Sequence, residues 1–186
     1  MKKKFKSLIF ALLGVMIVGM IGMVGCTNKS TDMPNEPMSP EKTMTKAEEY
    51  KKMLDEKIKT YMGGVKLGAK YDFSDVTDEN KQKVYEEYEK YYTNLDTELS
   101  NLRNELSTKV IKGDSAVDQI NKTIIDNIDN LKMKISSAKS DLDANSSNLM
   151  NMSKDEFVKT MDGIESNLYE ARVKLQNSIE SAQKNL

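Results

Sequence analysis

Few residues in this chain could do chemistry unaided. Among its 186 residues there is no histidine and no tryptophan, and there is one cysteine, Cys26. Without histidine the chain lacks the commonest general base and the commonest metal ligand. A single cysteine can form neither an internal disulfide nor a cysteine zinc cluster. Zinc enzymes, Cys–His and Ser–His hydrolases and thioredoxin-like redox enzymes are therefore excluded. Carboxylates, tyrosines, lysines and Cys26 itself remain.

The densest group among these is tyrosine: Tyr85, Tyr88, Tyr91 and Tyr92. At about 100° per residue on a helix, Tyr88 and Tyr91 fall in a stripe with Val84 and Leu95. Tyr85 and Tyr92 lie together, roughly 70–90° from its centre. Two readings stay open for this half-buried ledge. The first helix covers it through Tyr50, Met53 or Tyr61, or Tyr85, Tyr88 and Tyr92 form a partner-binding patch, since tyrosine is enriched at interface hot spots. Asp141, Asp143 and Asn145 match the first half of a calcium loop. The match then fails, with Ser146 where glycine is needed and Met152 where a bidentate glutamate is needed. No metal site is expected. Catalysis by carboxylate, tyrosine or lysine alone needs a cleft holding opposed, perturbed groups. The acids here read as lying on solvated helix faces, so the expectation is a non-enzyme without cofactors.

Cys26 has a context of its own. Lys2, Lys3, Lys4 and Lys6 form a basic start, and Leu8 to Gly25 follows without a charge. The stretch ends Met23-Val24-Gly25-Cys26, and polar sequence begins at once. Basic start, apolar middle and small residue before a boundary are the layout of a signal peptide. Met23-Val24-Gly25-Cys26 resembles the lipobox of bacterial lipoproteins, with Met23 in place of the usual leucine. That resemblance implies cleavage between Gly25 and Cys26 and a diacylglycerol on the Cys26 sulfur, the only non-protein group expected. The apolar stretch is also just long enough to span a bilayer core, so an uncleaved anchor is the competing reading. In both, the basic end stays inside and the rest lies outside. The expected location is the outer face of the cytoplasmic membrane of a Gram-positive bacterium, reached through a lipid anchor.

The segments follow in order: signal peptide 1–25, lipidated cysteine and tether 26–44, helical region 45–186. All three prolines, Pro34, Pro37 and Pro40, fall in the tether, which has too little apolar content to pack and is expected to be disordered. With the four lysines of the leader removed from 28 basic residues, 24 face 29 acids, a net charge of −5. A mildly acidic domain is a poor match for nucleic acid.

From Thr45 onward apolar residues recur at helical spacing. Helices are expected over about 46–62, 77–112, 115–144 and 154–184. Thr45 with Glu48, and Ser153 with Glu156, read as capping boxes. Gly63-Gly64, Gly113-Asp114 and Asn145-Ser146-Ser147-Asn148 read as breaks. Acid-to-lysine pairs recur at i, i+4, among them Glu79–Lys83 and Asp118–Lys122. Three long helices joined by short turns favour antiparallel neighbours. The expected fold is all-α: an elongated antiparallel three-helix bundle with a short additional N-terminal helix. The expected role is a non-enzymatic interaction or structural module at the cell surface, with a protein partner. The alternative is a ligand-binding or sensing bundle, with a pocket near the first two helices and the connector 63–76.

Overall fold

The computed structural model describes residues 44–108 and 113–186. The signal peptide, Gly25, Cys26, the tether up to residue 43 and Val110 lie outside the described residues. Four helices follow one another: α1 (Lys46–Met62), α2 (Lys81–Thr108), α3 (Ser115–Asn151) and α4 (Lys154–Asn185). Among the described residues there is no strand, and no helix is long and apolar enough to cross a membrane. The fold is all-α.

Local chemistry sets most of the ends. Thr45 Oγ1 accepts from the Glu48 amide while Glu48 reaches back to the Thr45 amide, closing the capping box of α1. Ser153 and Glu156 do the same for α4. Asp114 caps α3, its carboxylate accepting from the Ala116 and Val117 amides. A cap of this kind contributes about 1 kcal/mol. Gly113, just before that cap, has φ +94°, which costs glycine nothing. A side chain there would also stand 2.7 Å from Lys46 Nζ.

Two boundaries differ from the sequence reading. The helix expected from residue 77 starts at Lys81, because Thr77 and Asn80 first bond each other reciprocally in a turn. The break expected at 145–148 does not exist: α3 continues to Asn151. Asn145 bonds back to the Asp141 carbonyl and Ser146 to that of Asp143, so these polar side chains fold onto the preceding turn and do not cap a helix end. Leu149, fully buried, rewards the extra turn. Lys83 and Lys122 also pair forward, with Glu87 and Asp126, not back to the acids four residues earlier.

The helices pack through stripes with alternating steps of four and three residues. In α2 the buried positions are Lys81, Tyr85, Tyr88, Tyr92, Leu95, Leu99, Leu102 and Leu106. In α3 the same rhythm runs Val117, Asn121, Ile124, Ile128, Leu131, Ile135. This is a period of 3.5, the mark of supercoiled packing. The helix pairs run antiparallel, as the cross-links between α2 and α3 show: Leu106 O accepts from Asn121, Arg103 pairs with Asp129, Asp96 with Lys132, and Thr93 with Lys139. The turn at Met152–Ser153 folds α4 back along α3. Helix α1 lies against α2, α3 and α4. Its Tyr50 hydroxyl donates to Asn121 Oδ1, a buried hydrogen bond of 2.9 Å.

Candidate functional site

The chemistry of this fold concentrates where the segment joining α1 to α2, residues 63–80, crosses α4. This strap has no helix or strand of its own. Its backbone closes only turn bonds, such as Ala69 N to Lys66 O and Val76 N to Phe73 O. It runs antiparallel to α4 and is fastened to it residue by residue. Gly68 sits so close to Gln176 that a Cβ would come within 2.5 Å of Gln176 Oε1. The Ala69 carbonyl accepts from Arg172 Nη1 at 2.8 Å. Lys70 Nζ reaches Ser166 and lies 5.4 Å from the ring centre of Tyr169. The Tyr71 amide donates to Glu165 Oε1 at 2.8 Å.

Glu165 and Arg172 stand seven residues apart on α4, in the core phase of its stripe, and each is 1% exposed. They form an ion pair through Arg172 Nη2 and Glu165 Oε1. The Tyr92 hydroxyl donates to Glu165 Oε2 at 2.7 Å, and that of Tyr88 at 3.2 Å. Arg172 Nη1 also donates to the Tyr91 hydroxyl at 3.1 Å. The guanidinium carbon lies 5.7–6.0 Å from the ring centres of Tyr91, Tyr92 and Tyr169. Removing two charges from water is costly, and only full hydrogen bonding makes it tolerable. Glu165 reaches that state with two donors on each oxygen. Arg172 does so except at Nε, which is buried without a partner among the described residues.

Burial, first, and the Glu165 carboxylate raise the Tyr88 pKa far above the ordinary phenol value. Burial, with Tyr88 and Glu165, does the same for Tyr92. Both phenols therefore stay protonated and donate. The Tyr85 pKa is pushed up to about 12 by burial and by its hydrogen bond to Glu89.

The tyrosines are thus not a surface ledge. Tyr85, Tyr88 and Tyr92 are 5%, 1% and 2% exposed, which overturns their reading as a ready partner-binding patch. The strap covers Tyr88, and α4 meets Tyr92 through Glu165 and Arg172. Tyr71 meets Tyr88 edge-on with ring centres 5.1 Å apart, and Phe73 packs on Tyr88 at 5.4 Å. The sequence placed Val84 and Tyr91 at the stripe centre because it assumed 3.6 residues per turn. The 3.5 period turns Tyr85 and Tyr92 inward and leaves Val84 and Tyr91 half-buried.

Sequence reasoning missed Glu165 and Arg172, having set the acids on solvated faces. One signal was available. The chain has 26 lysines and two arginines. Both arginines hold carboxylates, Arg103 with two nitrogens on Asp129 and Arg172 on Glu165. A planar fork can meet a carboxylate and further acceptors at once, as Arg172 does with Glu165, the Ala69 carbonyl and the Tyr91 hydroxyl. Asp141, Asp143 and Asn145 all lie exposed along the continuous α3 helix.

A second feature borders the strap. Between the C-terminal half of α1, the start of the strap and the last turns of α4 lies an open cleft of about 470 Å³. Ile58, Met62, Val65, Leu67 and Ile179 make its apolar lining, and Lys66, Gln176 and Glu180 its polar rim.

No protein-family model matches this chain, and no curated protein or solved structure is significantly similar to it.

Proposed function

We propose that the chain is an exported lipoprotein, cleaved after Gly25 and held by diacylglycerol on Cys26 at the outer face of the cytoplasmic membrane of a Gram-positive bacterium. It presents residues 45–186 as an elongated antiparallel three-helix bundle of α2, α3 and α4, with α1 and the strap along its side. Its role is that of a non-enzymatic interaction or structural module acting on a protein partner. The observation that carries the anchoring is sequence position. The one cysteine follows a glycine at the end of 18 uncharged residues, Leu8–Gly25, that come after a basic start.

The non-enzymatic reading is supported by how the reactive groups are used. The Glu165 carboxylate and the Tyr88 and Tyr92 hydroxyls bond one another, Arg172 and the strap, so these groups are committed to holding the fold. The test of anchoring is the mass of the mature protein from cells fed an alkyne fatty acid. The expected species begins at Cys26, carries the acyl mass and loses the label in Cys26→Ser. An unlabelled species beginning at Met1 contradicts the proposal.

A second reading, a ligand-binding bundle, is favoured by the 470 Å³ cleft, which lies within the size range of small-molecule sites. The cleft uses α1, the strap and α4; the pocket expected from sequence used α2 in place of α4.

A further inference from the structure

The cleft beside the strap has an asymmetric chemistry. Its floor is aliphatic: Met62, Leu67 and Ile179 are buried, and Ile58 and Val65 are half-buried against the core. No aromatic ring lines it. The rim is polar and carries one cation and one anion. The Glu180 anion is engaged, accepting from Gln176 Nε2 at 2.7 Å. The Lys66 ammonium is exposed and has no acceptor among the described residues. A flexible aliphatic floor below one unengaged cation is complementary to a single hydrocarbon chain that ends in an anion.

We infer that this cleft binds one long-chain carboxylate, a free fatty acid, with the alkyl chain along Ile58, Met62, Val65, Leu67 and Ile179 and the carboxylate on Lys66. The inference rests on the ligand-binding reading of this cleft and is independent of the anchoring, since Cys26 takes no part. Each methylene tightens binding by at most about fourfold, the value for full burial. Affinity should therefore climb with chain length until the chain outgrows the cleft.

The test uses the full chain in phosphatidylcholine vesicles with a photoactivatable hexadecanoate, and maps the label by mass spectrometry. The expected label falls on the segments 58–69 and 176–180. It should be competed by unlabelled hexadecanoate, and shorter saturated acids should compete progressively less well. Lys66→Glu, an exposed change whose fold is checked by circular dichroism, should reduce labelling about tenfold. Lys154→Glu, away from the cleft, should not. Label spread evenly over the helices, or absent from both segments, overturns the inference. So does equal labelling by the methyl ester, undiminished labelling of Lys66→Glu, or preferential labelling by a photoactivatable phosphatidylglycerol.

Discussion

The seam between α3 and α4 and the junction between the strap and α4 use the same helix in opposite ways. At the seam, α3 and α4 pack along their length, with Phe157, Met161, Leu168 and Leu175 of α4 and Ile128, Leu131, Ile135, Leu142 and Leu149 of α3 all buried. The attraction there is apolar and non-directional, and it is shared among many residues. At the strap, α4 presents Glu165 and Arg172. The attraction is directional and passes through a few atoms. A segment with no helical hydrogen bonds of its own cannot be held by a stripe, because its backbone groups also need partners. Arg172 and Glu165 supply them, one at the Ala69 carbonyl and one at the Tyr71 amide. Burying a helix takes a pattern; burying a loop takes named donors and acceptors.

The largest expected effect is alkaline. Burial is the first cause of the raised pKa of Tyr50, Tyr71, Tyr85, Tyr88 and Tyr92. A group whose folded pKa exceeds its unfolded value of about 10 holds the proton more tightly when folded. Its stabilisation is complete below pH 10 and is lost as pH rises toward the folded value. Melting temperature should hold below pH 10 and collapse above it. The phenolate absorbance of these rings should appear with the loss of helical circular dichroism, not before it.

Next in size is Arg172→Leu, which strands the Glu165 carboxylate in the interior and should cost about 3–5 kcal/mol in urea titration. Glu165→Leu added to it should recover much of that loss while leaving the strap unfastened. At the seam, Ile128→Ala should cost about 2–4 kcal/mol. Its signature differs, since it weakens the whole fold together and has no single partner that rescues it. Smallest is Tyr50→Phe, which removes a neutral hydrogen bond to Asn121 and should cost about 1 kcal/mol. The ratio between the Arg172 and Tyr50 changes measures how far the strap's ionic hold exceeds α1's neutral one.

These two regions also differ in how legible they were in the sequence. The seam follows from spacing, and both capping boxes follow from residues three apart, so Thr45–Glu48 and Ser153–Glu156 could be read directly. Leu149 lies in phase with the α3 stripe, yet Asn145 to Asn148 looked like a break. Their side-chain preference for caps is weak against a buried leucine one turn on. The strap was legible only as apolar residues without a helix. Its contacts join residue 69 to 172 and 71 to 165, separations of 103 and 94 positions, and no local pattern encodes them. Glu165 looked like any surface acid because its partners are distant in sequence. The proposed anchoring rests on Cys26 and its flanking residues, which lie outside the helical region.

Amide hydrogen exchange on the full chain, wild type against Glu165→Gln, tests the account most directly. The Tyr71 amide loses its ionic acceptor in that variant. Exchange across residues 68–73 should accelerate by about tenfold or more, while the centre of α3, residues 124–135, keeps its protection. If strap and α3 accelerate together, or if neither changes, the strap is not held separately from the helices and the account is wrong.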